Sequence, residues 1–252
     1  MRWAEDKFTS VPVTLAGERP FTIHLNGQEI VTLLCSPDHL EELAVGFLVA
    51  EGLLDRPEEL IEVLVDTDKG WGWVKTRVER LLTKEAMSRR YIGSGCGGGT
   101  GFYTLADAWK CRPVEGKLRV SPTDLLALVQ DLQRGSELYR TTRGVHSAAL
   151  YKPGGSVVFR EDIGRHNAVD KIAGYCFLHG LATEDRLLMV SGRISSEILA
   201  KAAKMGIPVL VSRSVPTDLA VEYGLGLGIT IVGFARGRRF NVYTHPERII
   251  SD

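Results

Sequence analysis

The chain has no apolar run close to the ~20 residues that a membrane-crossing helix needs, and no excess of either charge. Its 31 basic and 31 acidic side chains cancel. That balance removes the bulk electrostatic argument for binding nucleic acid or an acidic membrane surface, and leaves only local clusters to consider. Cysteine is scarce: Cys35, Cys96, Cys111 and Cys176 are widely spaced with no close pair, so free thiols are expected rather than a disulfide framework. The first residues, MRWAEDKFTSVPV, carry acids where a signal peptide would have its apolar stretch, and a cytoplasmic protein is expected. Neither a 20–50-residue repeat nor a low-complexity tract is visible beyond one glycine-rich segment.

What remains is an ordinary globular composition, 44% hydrophobic and 25% charged over 252 residues, long enough for one large domain or two modest ones. FTIHLNGQEIVTLLC reads as a hairpin turning at Asn26-Gly27, a pair suited to positive φ. SPDHLEELAVGFLVAEGLL predicts a helix capped by Ser36, with Pro37 at its first position. A strand pair turning near Lys69-Gly70 follows, and VSPTDLLALVQDLQRG predicts a helix with Ser121 as cap and Gly135 beyond its end.

From about Gly144 the rhythm changes. Short strands that are apolar on both faces (RLLMVSG, PVLVS, ITIVGFARG) alternate with amphipathic helices. This implies parallel βαβ units covered by helices. The fold expected is α/β in the second half and mixed α+β in the first, divided as 1–120 and 121–252.

Parallel strands bring their carboxyl ends to one edge, where open α/β sheets bind ligands. There the chain carries SGRISSE, SRSVPTD and GFARGRRFN, so Arg193, Arg213, Arg236, Arg238 and Arg239 are expected to converge. Ser195 and Ser196 open a helix whose free N–H groups favour an anion. Arginine forks and flanking glycines suit a phosphate-bearing ligand; the competing reading pairs these arginines with Glu161, Asp162, Glu197 and Asp218. EDIGRHNAVDK is either a ligand-facing turn or a charge network locking a helix start.

GSGCGGGTGF, Gly93 to Phe102, sets one thiol among glycines. GSGCGG matches G-x-G-x-x-G in form, but no good strand precedes it and no acid stands about 20 residues on, so the dinucleotide fingerprint fails. A zinc deaminase is excluded too: HSA, His146 to Ala148, lacks the catalytic Glu, and SGRISSE lacks the cysteine pair. No metal site is expected. His146 is read as a hydrogen-bonded structural histidine or a ligand-facing one, and Cys35 and Cys176 as structural.

HSAAL, EDIGRHNAVDKI, SGRISSEILAKAAKMGIPVLVSRS, PTDLAVE and GFARGRRFNVYTHPERI together resemble the FdhD family, accessory sulfur carriers required for formate dehydrogenase activity. The matches cover nearly all of Val145 to Ile249; the N-terminal half matches more loosely. The resemblance implies a cytidine deaminase-like fold without its zinc site, and a homodimer. It also implies sulfur taken as a persulfide from a cysteine desulfurase and passed to the molybdenum bis-guanine-dinucleotide cofactor before that cofactor enters formate dehydrogenase. Guanosine diphosphate (GDP) would serve as an analogue of that carried ligand.

The sulfur-bearing cysteine of the family falls on Cys96, and its cofactor-binding stretch on Phe234, Ala235, Arg236, Gly237, Arg238 and Arg239. Arg193, Ser195, Arg213 and His146 join the expected ligand site. Many members carry C-x-x-C in the glycine segment, whereas here Gly99 takes the second position. A single thiolate still suffices to accept and release sulfur, and glycine-rich chain could swing it between two partners. The alternative is a chaperone that delivers the cofactor without handling sulfur.

Overall fold

The structure is a computed structural model that describes residues 1–78, 80, 113–152 and 154–250, together with the backbone of 91–92 and 100–101. Cys96, Cys111 and the glycine segment between 93 and 99 lie outside the described residues.

After a small exposed hairpin (β1 Arg2–Ala4, β2 Lys7–Thr9), β3 Arg19–Leu25 and β4 Gln28–Cys35 form the predicted hairpin. Asn26 and Gly27 both take positive φ, 49° and 85°, as a tight turn of this hand requires. β5 Leu60–Asp66 and β6 Trp71–Thr76 are the second expected pair, and a parallel β3–β6 contact joins all four in the order β4-β3-β6-β5. One face of this sheet buries Phe21, Ile23, Val31 and Val74 against Leu43, Phe47 and Leu48 of helix α1 Leu40–Ala50. Further on, β7 Tyr91–Ile92 pairs antiparallel with β8 Thr100–Gly101.

The start of α1 departs from expectation. Ser36 does not cap it; the helix begins at Leu40, behind His39 at φ 50°. The Ser36 backbone N–H instead donates to Asp162 Oδ2 at 3.0 Å, and its hydroxyl accepts from Ile163 N at 3.2 Å. A partner more than 120 residues away has overridden the local capping signal. Ser121 does cap α2 Pro122–Gly135, accepting from Asp124 N at 3.1 Å, and Gly135 is the helix's last residue rather than the one beyond it.

After the short α3 Glu137–Thr142, the second half is one six-stranded sheet. Its strands are β9 His146–Lys152, β10 Gly155–Asp162, β11 Leu187–Val190, β12 Val209–Ser212, β13 Thr230–Arg236 and β14 Arg239–Val242. Their order is β10-β9-β11-β12-β13-β14. Only the β11–β12 and β12–β13 pairs are parallel; the β10–β9, β9–β11 and β13–β14 pairs are antiparallel, which narrows the parallel arrangement expected. The connecting helices are α4 Arg165–Leu178, α5 Ser196–Lys204 and α6 Asp218–Leu227.

Strand alternation sorts the core into two layers. Ala148, Leu150, Leu188, Val190, Leu210 and Ile231 meet α4, α5 and α6 on one face. Ala149, Tyr151, Met189, Val211 and Val232 meet Leu125, Val129 and Leu132 of α2 on the other. The result is a sheet between helices, buried on both faces, as its continuously apolar strands require.

The two sheets are joined through α1, every residue of which from Leu43 to Leu48 is buried. One side of α1 covers the first sheet and the other crosses α4, whose Phe177 and Leu178 pack against the first sheet's core.

Candidate functional site

Because β11, β12 and β13 are parallel, their carboxyl ends share an edge, and the antiparallel register of β9 brings its first residue there as well. That register pairs Val190 with Ala148, and Ser191 N donates to Ser147 O at 2.9 Å. His146 is therefore held beside Ser191, with Nδ1 3.4 Å from the hydroxyl oxygen. Gly192 is buried where a Cβ would meet Arg165 Cδ at 3.1 Å and His146 Nδ1 at 3.3 Å, so its lack of a side chain lets these two groups close on the strand end. Burial, with the charges of Arg165 and His166 adding to it, pulls the His146 imidazole below its ordinary value.

The ends of β12 and β13 are tied in the same way. Ser212 donates to Gly192 O at 2.6 Å, Phe234 N to Ser214 O at 2.6 Å, and Arg236 Nε to Arg213 O at 3.0 Å. Phe234 takes φ 54°, a conformation uncommon for a bulky residue and a mark of local strain. Its ring carries the Arg236 guanidinium at 5.0 Å and that of Arg239 at 5.2 Å, within cation–π range. Gly237 turns the chain at φ 59° with open space around it, and Arg236, Arg238 and Arg239 are exposed. Ala235 is fully buried in the core and holds the turn to the sheet rather than facing a ligand. Arg193 is exposed, while Ser195 is buried and caps α5 by accepting from Ile198 N at 3.5 Å.

A pocket of about 510 Å³ opens at this edge. His146 and Arg213 of the expected set line it, with Ser191 and Ser147; Arg193, Ser195 and the Phe234–Arg239 turn lie outside its lining. Its lining also includes residues that no sequence motif singled out, among them Gln133 from α2, and Arg140 and Arg143 from α3 and its end. The available signal was the 3–4-residue spacing of Tyr139, Arg140 and Arg143 just ahead of β9. A larger recess, about 1170 Å³, lies among the segments preceding β11 and β12, but its walls mix Glu51, Asp55, Glu184 and Asp185 with Arg186 and Lys204 and favour no one charge.

EDIGRHNAVDK serves mainly as the charge network. Asp162, fully buried, accepts from Ser36 N, from Gly164 N at 2.8 Å and from Asn167 Nδ2 at 2.9 Å, and pairs with Lys171 Nζ at 2.8 Å. Lys171, also fully buried, is further bound by Asp38 and by the carbonyls of Ser36 and Glu161. The network thus stitches the first half of the chain to the second. Beside it, Arg160 forks onto Glu42 of α1 at 2.5 and 2.6 Å, and Lys201 pairs with Asp170. Arg165 is the member turned toward His146 and Gly192, and His166 Nε2 lies 2.8 Å from Glu197 Oε2.

Of the four thiols, Cys35 and Cys176 are described, and both are buried. Burial pushes each up to about 12. Neither is a thiolate near neutrality, so neither is equipped for nucleophilic work. Among the described residues no group of three or more His, Cys, Asp or Glu is placed to hold a metal ion, and no helix is long and apolar enough to cross a membrane.

The sequence profile of the FdhD/NarQ family matches residues 16–250. The chain belongs to the FdhD/NarQ family. Among its FdhD relatives, the Bacillus subtilis (strain 168) protein, called "Sulfur carrier protein FdhD", is 42% identical over 248 residues, spanning 98% of this chain and 95% of the relative. The protein of the same name from Geobacillus kaustophilus (strain HTA426) is 43% identical over 249 residues, spanning 99% of this chain and 95% of the relative. A crystal structure from Desulfotalea psychrophila, described as a formate dehydrogenase accessory protein, matches with TM-score 0.79 at 29% identity, covering 94% of this chain and 90% of that one. The FdhD resemblance carried by the motifs is thereby shown over nearly the full chain.

Proposed function

We propose that this protein is a sulfur carrier serving formate dehydrogenase, with Cys96 as the sulfur-bearing group. The Cys96 thiolate attacks the outer sulfur of a persulfide on a cysteine desulfurase, forming a Cys96 persulfide and releasing the donor's thiolate. The S–S bond then breaks with its electron pair leaving on the Cys96 thiolate. The outer sulfur, left at the level of neutral sulfur, is taken up by the molybdenum bis-guanine-dinucleotide cofactor, the cargo, whose metal in its reduced state supplies the two electrons that make it a sulfido ligand. The cargo is held at the strand-end site by Arg213, His146 and the turn from Phe234 to Arg239, with Arg193 and the α5 start at Ser195 beside it. The reading includes action in the cytoplasm as a homodimer. A cytidine deaminase-like layering of the C-terminal half belongs to it as well, supported by helices on both faces of the β9–β14 sheet.

The observation that carries the proposal is full-length similarity to proteins named as sulfur carriers, in a chain whose two described cysteines are buried, with thiols that burial pushes up. Elimination leaves Cys96 and Cys111, and the family's sulfur-bearing position falls on Cys96. The cation-lined pocket at the carboxyl edge adds support, since a guanine dinucleotide brings phosphates to be neutralised.

Gly99 in place of a second cysteine favours one rival, delivery of the cofactor without sulfur chemistry. One experiment separates the two. Protein incubated with a cysteine desulfurase and cysteine is expected to show one added sulfur on Cys96 by mass spectrometry, and Cys96→Ala to fail in activating formate dehydrogenase in cells lacking the native carrier. Full activation by Cys96→Ala, with GDP binding intact, would select the chaperone instead.

A further inference from the structure

The pocket beside His146 is more cationic than the strand ends alone make it. Arg140 and Arg143 enter from α3 and face it together with Arg213, and among the described residues no aspartate or glutamate stands in its lining. Among the described residues none of these three arginines lies within ion-pair distance of a carboxylate. Glu161 sits behind the pocket's serines, its carboxylate accepting from the hydroxyls of Ser136 and Ser147.

Two of the cations are held in place before any ligand arrives. Arg143 takes φ 57° at the end of α3, its N–H donating to Tyr139 O at 2.8 Å and its guanidinium 5.2 Å from the Tyr139 ring. With the Gln133 amide oxygen turned toward it, Arg213 donates to that oxygen from Nε at 2.7 Å and from Nη2 at 3.2 Å. Like charges gathered in a concave site repel one another and raise the local potential. An anion relieves that repulsion, and planar guanidinium forks suit phosphate oxygens best.

We propose that Arg140 and Arg143 form, with Arg213, a wall that grips the pyrophosphate of a nucleotide-bearing ligand. This rests on the reading of the strand-end edge as the cargo site and extends it across the pocket. The specificity that follows is for the diphosphate rather than for the nucleoside.

The test is calorimetric titration of the full chain at low salt with GDP, inorganic pyrophosphate and guanosine. Wild type is expected to bind GDP and pyrophosphate in competition, and guanosine at least tenfold more weakly. Arg140→Gln with Arg143→Gln is expected to weaken both anions by on the order of tenfold or more per arginine, the scale of a charge-assisted hydrogen bond. The thermal midpoint should hold, and the Arg140→Lys, Arg143→Lys pair should recover part of the affinity. If the Gln pair lowers the midpoint, Arg140→Gln alone, which leaves the backbone at 143 untouched, decides the matter by the same readout.

Unchanged GDP and pyrophosphate affinity in the Gln variants, with affinity lost in Arg213→Ala, would overturn the wall while keeping the strand-end site. Guanosine binding as tightly as GDP would overturn the diphosphate specificity. A wild-type protein that binds neither anion would remove the strand-end reading, and this inference with it.

Discussion

Gly46 and Gly174 mark the crossing of α1 and α4, and neither position has room for a methyl group. A Cβ on Gly46 would fall 1.8 Å from the Asp170 carbonyl oxygen, and one on Gly174 would fall 1.8 Å from the Glu42 carbonyl oxygen. The obstacles are backbone atoms inside helices, which cannot step aside as a side-chain end can. Gly46→Ala and Gly174→Ala are each expected to destabilise the fold by about 3 kcal/mol or more, at or above the upper end of ordinary overpacking costs. Urea unfolding checks this, and an unchanged midpoint in either variant would contradict the close crossing.

Lys171 offers a second test of the same junction. Replacing it with Met leaves Asp162, fully buried, without its ammonium partner. Breaking a buried pair from one side costs roughly 3–5 kcal/mol. Adding Asp162→Asn to Lys171→Met should return part of that loss, because the orphaned charge is then gone. Thermal unfolding of the two variants reads the difference; equal midpoints would mean that the charge is not the cause.

The histidines at the strand-end edge set a direction for pH dependence. Burial is the main cause that holds His146 and His166 below the ordinary 6.5. Between that value and the lower folded values the unfolded chain binds more protons, so stability rises with pH through this window and falls on acidification. Glu197, held low chiefly by its hydrogen bond with His166, works in the same direction further down. The thermal midpoint is expected to drop as pH falls from about 7.5 to 5.5, and His146→Gln to flatten the slope. A midpoint that climbs over that interval would reverse the argument.

Thiol chemistry gives a fourth expectation. Folded protein treated with iodoacetamide near pH 8 should carry no label on Cys35 or Cys176, whose thiols burial pushes up to about 12. Both should react once urea opens the fold. Peptide mass spectrometry locates the label, and modification of Cys35 before unfolding would show that its surroundings are looser than the buried strand end described.

Much of the architecture was legible because its causes are local. The Asn26-Gly27 turn, the Ser121 cap and the alternation of apolar strands with helices from Leu187 onward follow from dihedral preference, capping and periodicity, and each element formed where expected. The failures have distant causes. Ser36 looked like a cap and is instead engaged by Asp162 and Ile163. The closing strand Arg239–Val242 is too short to announce itself, and the antiparallel setting of β9 depends on which neighbour it finds. For the site, strand-end logic named Arg213, and His146, read as structural or ligand-facing, lines the same pocket; Arg140 and Arg143 reach it only through the fold of α2 and α3 onto the sheet. Cys96 came from the family resemblance, and no periodicity would have singled it out.

The buried lysine also bears on how the chain can be cut. A fragment beginning at Ser121 would keep Lys171 and Asp162 but lose Asp38, Ser36 and the whole of α1 that roofs them. Water would reach an ammonium and a carboxylate shaped for a dry interior, and Gly174 would face solvent with nothing to approach. Either piece made alone should therefore be aggregation-prone, and mixing the two separately expressed pieces should restore solubility to both.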